Sequence, residues 1–182
     1  MPELQSLHVF QALNRSPHAR LQACAELGDG LAAAVWSNHH DAQDYQAPSH
    51  HTLSCYIGGG TGTFRRDQPG LKGGPDKLCI LPAEHQSAWV INGDIRLAHL
   101  YFSPEQFALG CVTLLDREPR ALQLRESRAC FDRSELLYIA HEDDAGVLLL
   151  RQVEQLGSIA GGQQRCLVHD PCCGLSLTWA LG

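Results

Sequence analysis

Ten histidines and eight cysteines in a chain of 182 residues invite a search for metal or acid–base chemistry. Two histidine pairs, His39-His40 and His50-His51, are adjacent. On a strand, neighbours point to opposite faces, so neither pair can place both rings on one metal. His85 follows Pro82 with no second ligand at a useful spacing, and Glu84 beside it reads as an exposed loop pair. Cys166, Cys172 and Cys173 cluster near His169, without the paired CxxC spacing of a zinc site. Cys24, Cys55, Cys79, Cys111 and Cys130 stand among apolar neighbours and are expected to be reduced, small core residues. No nucleophile with an oriented base, and no pair of carboxylates, is legible. The residues therefore predict no catalytic set, no metal and no cofactor.

A binding pocket suits them better, because such sites are mostly apolar and aromatic with a few placed polar groups. The candidates are Trp36, His51, Cys55, Cys79, His85, Trp89, His99 and Tyr101, all on or beside expected strands. His51 and His99 lead the set, since alternation places both on the expected inner face. The same aromatic residues also suit plain core. Arg65 and Arg66 could pair with an acidic effector, although adjacent arginines on a hairpin are more often solvated. Gly58–Gly62 could cradle a phosphate only if a helix followed, and a strand pattern follows instead.

These residues need short strands to hold them, and the composition supplies the means. Apolar residues make up 44% and charged residues 19%, with 17 Gly and 9 Pro spread along the chain as turn-formers. The formal charge of −6 argues against direct nucleic-acid binding, which needs clustered Lys and Arg. No apolar run approaches the roughly 18 residues of a membrane span, and Met1–Asn14 lacks the pattern of a signal peptide. A cytoplasmic protein without membrane contact is expected.

Helical spacing of apolar residues covers Leu4–Leu13 and Leu21–Leu27. Strands are expected at Leu31–Trp36, His51–Ile57, Thr63–Arg66 and Lys77–Leu81. Two more, Ser87–Ile91 and Ile95–Phe102, are expected to form a hairpin about Asn92-Gly93-Asp94, because Asn-Gly suits a type I′ turn. The glycines at 58–62 supply positive φ angles for a hairpin or bulge. Ser103-Pro104-Glu105-Gln106 then caps a helix reaching about Leu115. The expected class is mainly β with C-terminal α. Residues 1–116 form the barrel with an N-terminal extension and one short helix, 117–156 are helical, and 157–182 have no legible periodicity.

Ser49–Gly60, Phe64-Arg65-Arg66, Leu78–Trp89 and Leu97–Ser103, in that order, resemble the N-terminal domain of AraC-type transcription regulators across roughly Asp29–Leu156. The resemblance implies a cupin barrel, a double-stranded β-helix of jelly-roll type, that accepts a small effector. It also implies following helices that dimerise, and a C-terminal domain with two helix-turn-helix units. Gly157–Gly182 shows no paired helices or basic recognition helix. The chain is thus expected to be the sensing half alone, from a truncated or frame-altered gene or as a natural stand-alone domain. It would homodimerise, or sequester a full-length regulator as a heterodimer. Metal-dependent cupins supply His-x-His, a later Glu and a distant His, and only His85 matches, at the distant position. A small cupin enzyme acting on a metabolite is the alternative.

Overall fold

The computed structural model describes residues 4–28, 30–75, 77–115 and 130–132. A single 3₁₀ turn at Leu4–Ser6 leads into helix α1, His8–Arg15. Strands β1 to β6 follow: Arg20–Gly28, Leu31–Tyr45, His51–Gly59, Thr63–Arg65, Lys77–Leu81 and Ser87–Phe102. Helix α2 spans Pro104–Leu115, and β7 is Cys130–Asp132. All pairings are antiparallel, in the order β1-β2-β6-β3-β5-β7, with β4 also on β6. The mainly-β expectation with a helix after the strands is the architecture found. Apart from β7, the expected helical segment 117–156 and the tail 157–182 lie outside the described residues.

The centre of the sheet is the long pair β2 and β6, in register from Leu31↔Phe102 to Tyr45↔Ser87. A straight strand of 16 residues would reach roughly 50 Å, far beyond a small core, so it must bend. The bend lies at 92–94, and it corrects the expected hairpin. Asn92-Gly93-Asp94 is no turn. The strand runs on through it, while the pairing with β2 skips His40, whose φ is 45°. On the other edge of β6 the glycine run makes the matching irregularity. β3 pairs with one half of β6 and β4 with the other, and Gly59 and Gly60 at φ +67° and +80° join them as a bulge. The Gly60 amide donates to the Asp94 carbonyl and the Asn92 amide to the Gly62 carbonyl. Asn-Gly and Gly-rich segments suit bulges as well as turns, and the pairing of β6 with β2 on both sides of the irregularity decides which forms.

Leu21–Leu27, expected as helix, is strand β1. Ala23, Ala25 and Leu27 are half-buried, while Gln22, Cys24 and Glu26 are exposed. That is period two, and pairing with β2 selects it over the helical spacing. Ser103 caps α2 as expected, its Oγ accepting from the Gln106 amide at 3.1 Å.

Two apolar clusters lie on opposite faces of the sheet. On the inner face, Val9, Phe10 and Leu13 of α1 pack over Trp36, Tyr56, Leu97 and Tyr101. On the outer face, Leu53, Ile80, Leu100 and Phe102 pack with Phe107 of α2. Trp89 and Ile91, before the bend, and Leu97 and His99, after it, line one small cavity together with Cys79. The sheet therefore curls over on its inner face and α1 closes it.

Candidate functional site

Register builds the centre of the inner face. His99 on β6 sits between Ala34 of β2 and Ser54 of β3, two small neighbours that leave room for an imidazole. Two residues on, Tyr101 points the same way and meets Trp36. The Trp36 indole N–H donates to the Tyr101 hydroxyl at 3.2 Å. The same hydroxyl lies 3.2 Å from His99 Nδ1, and His99 Nε2 lies 3.1 Å from Ser54 Oγ. One arrangement uses the phenol as both acceptor and donor: Trp36 N–H to Tyr101, Tyr101 O–H to His99 Nδ1, and His99 Nε2–H to Ser54. All four side chains are buried.

This chain of hydrogen bonds carries no charge. Burial pulls His99 down to about 3, with His50 nearby adding to the effect, so the imidazole is neutral at pH 7. Burial also pushes the phenols of Tyr45, Tyr56 and Tyr101 above their ordinary value, which keeps them protonated. His50 lies against Tyr101 and His8, with ring centroids 5.7 and 6.4 Å away, and burial lowers it to about 4. Among the described residues, neither ring nitrogen of His50 finds a hydrogen-bond partner, nor do the hydroxyls of Thr52 and Thr63. Each such group costs on the order of 1–3 kcal/mol when buried.

Around the centre the walls are apolar. Phe10 meets the edge of Trp36 at a centroid distance of 5.1 Å, and Leu13, Tyr56, Trp89 and Ile91 complete the lining. The cavity there is about 30 Å³. That is space for a single water, against several hundred Å³ for a drug-sized ligand.

Of the expected pocket residues, Trp36, Cys79, Trp89, His99 and Tyr101 come together on this face. His51 and Cys55 do not. Cross-strand partners share a face, and His51 opposes Phe102 while Ser54 opposes His99, so His51 and Cys55 belong to the outer side. The inner-face placement of His51 is thus corrected by one residue of register. There its ring packs on Phe102 and Phe107, accepts from the Ala83 amide at 2.9 Å, and is lowered by burial to about 4. His85 is exposed in the turn after β5, its Nδ1 2.9 Å from the Ala83 carbonyl. Cys79 is disulfide-bonded, against the expectation of a reduced thiol. Its cross-strand neighbour on β7 is Cys130.

Sequence reasoning missed His50, Thr52, Ser54 and Tyr56 because their alternation with apolar residues marks them as the wet face. They are the more buried set. The signal that identifies them is pairing with His99, which requires the register. Among the described residues, no three or more of His, Cys, Asp and Glu gather as a metal-binding group. No described helix is long and apolar enough to cross a membrane.

No family model matches this chain, and no curated protein matches it. Among solved structures, the EutQ protein of Clostridium difficile is similar over 50% of this chain and 73% of its own, with a TM-score of 0.41 and 9% identity. The putative ethanolamine utilization protein Q of Salmonella typhimurium LT2 is similar over 47% and 68%, at 0.37 and 8%. The plu4264 protein of Photorhabdus luminescens is similar over 54% and 84%, at 0.36 and 20%.

Proposed function

We propose that this chain is a cupin-type effector-sensing and dimerisation domain of the AraC-regulator kind, a binding module rather than an enzyme. The observation that carries the reading is the neutral polar line Trp36–Tyr101–His99–Ser54 buried among apolar walls under α1. Ligand pockets have this composition. The effector is uncharged and bears hydroxyl or similar groups, because a charge would be buried here without a counter-charge. His50, Thr52 and Thr63 offer it hydrogen-bonding capacity that the described residues leave unused.

A cavity of about 30 Å³ admits no metabolite, so binding moves α1 outward. That helix has only eight residues and is too short to be stable apart from its packing. Dimerisation is supported by Leu109 and Val112, one turn apart on α2 and 55% and 53% exposed. Thermal-shift measurements against neutral sugars and small metabolites, with the solution mass, test the proposal. The expected results are stabilisation by at least one compound and a mass twice the 19.9 kDa chain. A monomer that no compound stabilises overturns it.

A further inference from the structure

Burial and register put a reducible bond in the wall of the inner cavity. Cys79 on β5 is disulfide-bonded, lies at 1% exposure and lines the cavity beside Leu81 of the same strand. Register sets it opposite Ser54 of β3, whose Oγ is 3.1 Å from His99 Nε2, so the sulfur stands one strand away from the buried polar line. Among the described residues Cys24, Cys55 and Cys111 are free thiols, and none of the three lines this cavity. Thiol chemistry there acts through Cys79.

Strand pairing holds β5 only over a short length. It has five residues, of which Leu78–Leu81 pair with β3 on one edge and Lys77–Cys79 with the three residues of β7 on the other. A covalent cross-link at its middle residue limits how far so short a strand can yield, because it removes chain freedom from every opened state. The cavity of about 30 Å³ is too small for a metabolite, so this wall, like α1, has to give way when one enters. Reduction by a dithiol is balanced: the bond takes up two electrons and two protons to leave two thiols, and the dithiol becomes a cyclic disulfide. The thiol left at Cys79 is a small, weakly polar group and brings no charge into the neutral interior.

We propose that the Cys79 disulfide is a redox switch on the effector site: the bond holds the β5 wall closed, and its reduction lets the wall open and the effector bind more tightly. The inference rests on the inner face being that site. Hydrogen exchange at the β5 amides of the full chain, before and after dithiothreitol, tests the switch without any ligand. Reduction is expected to speed exchange there about tenfold or more, while the central pair β2 and β6 stays slow. Cys79→Ser and Cys79→Ala exchange at the reduced rate under both conditions, and Cys24→Ser responds as the parent does. Titration of each compound that stabilises the protein, in both redox states, is expected to give about tenfold tighter binding to the reduced form. Alkylation of Cys79 by iodoacetamide in the denatured, unreduced protein, β5 exchange unchanged by dithiothreitol, or equal or weaker affinity in the reduced form overturns the switch. Stabilisation by no compound, with β5 exchange still redox-dependent, overturns the effector reading and leaves redox control of the strand standing.

Discussion

The Ser16 hydroxyl donates to Asp41 Oδ2 at 2.7 Å and ties the end of α1 to the middle of β2. Asn38 and Gln43 donate to the same oxygen at 2.8 and 2.6 Å, and the Ala42 amide to the other at 2.7 Å. Burial pushes the Asp41 carboxyl up, but these four bonds outweigh it and hold the group below its ordinary range. The latch that closes α1 over the inner face is therefore ionic in character.

Asp41→Asn keeps the shape and removes the charge, so it weakens four bonds at once. A loss of roughly 1–3 kcal/mol is expected from the urea midpoint, with faster hydrogen exchange at the Gln11 amide of α1. The sign with pH follows from the lowered folded-state value. The contribution of Asp41 is present above its unfolded value near 4 and is lost as the pH falls through the lower folded value. In Asp41→Asn this acid limb is absent. If α1 exchanges equally in both proteins, Asp41 is no latch.

Tyr101→Phe removes the shared hydroxyl and leaves the Trp36 N–H and a His99 nitrogen without a partner in a dry interior. A loss of about 2 kcal/mol or more is expected, since stranded groups cost more than the bond they lose. Trp36 lies at 0% exposure, so its fluorescence reports the change directly. A variant as stable as the parent would mean that the line of bonds is incidental.

Gly59 and Gly58 should separate sharply on substitution by alanine. Gly59 has φ +67°, and an added Cβ there runs into the Asp94 carbonyl oxygen of the bent β6. Gly59→Ala is expected to cost at least about 2 kcal/mol through left-handed backbone strain and the shift that relieves the contact. Gly58 has open space around its Cβ position, so Gly58→Ala stays within about 0.5 kcal/mol. Chemical denaturation of both variants measures the difference, and equal costs would refute the bulge geometry.

Legibility in the sequence followed the physics of each segment. Strand β5 is legible at its observed bounds because a Pro- and Gly-rich loop and Pro82 punctuate a short apolar run. The second half of β2 was invisible. Its buried residues include Asn38 and Gln43, polar groups satisfied by Asp41, and hydrophobic periodicity cannot register them. The bend in β6 reads as a turn from sequence because Asn-Gly suits either, and only pairing with β2 discriminates. In the site, side-chain type alone picked out Trp36, His99 and Tyr101. Ser54 and the face of His51 depend on register, which no local pattern encodes here.

Acid lability gives the sharpest test of the buried histidines. Burial lowers His50 and His51 to about 4 and His99 to about 3, from an unfolded value near 6.5. The unfolded chain therefore binds more protons than the folded one through this interval. Stability is full above about pH 6.5 and falls as the pH drops, until each folded-state value is passed. Each histidine contributes a slope on the order of 1 kcal/mol per pH unit, so three together can remove much of a typical domain's stability by pH 5. Urea unfolding at pH 7.5 and 5.0 should show that fall. His50→Leu should flatten it by about one histidine's share. It should also leave stability at pH 7.5 unchanged or raised, because both ring nitrogens of His50 lack a partner among the described residues. A parent protein equally stable at both pH values would show that these rings are solvated rather than part of a dry interior.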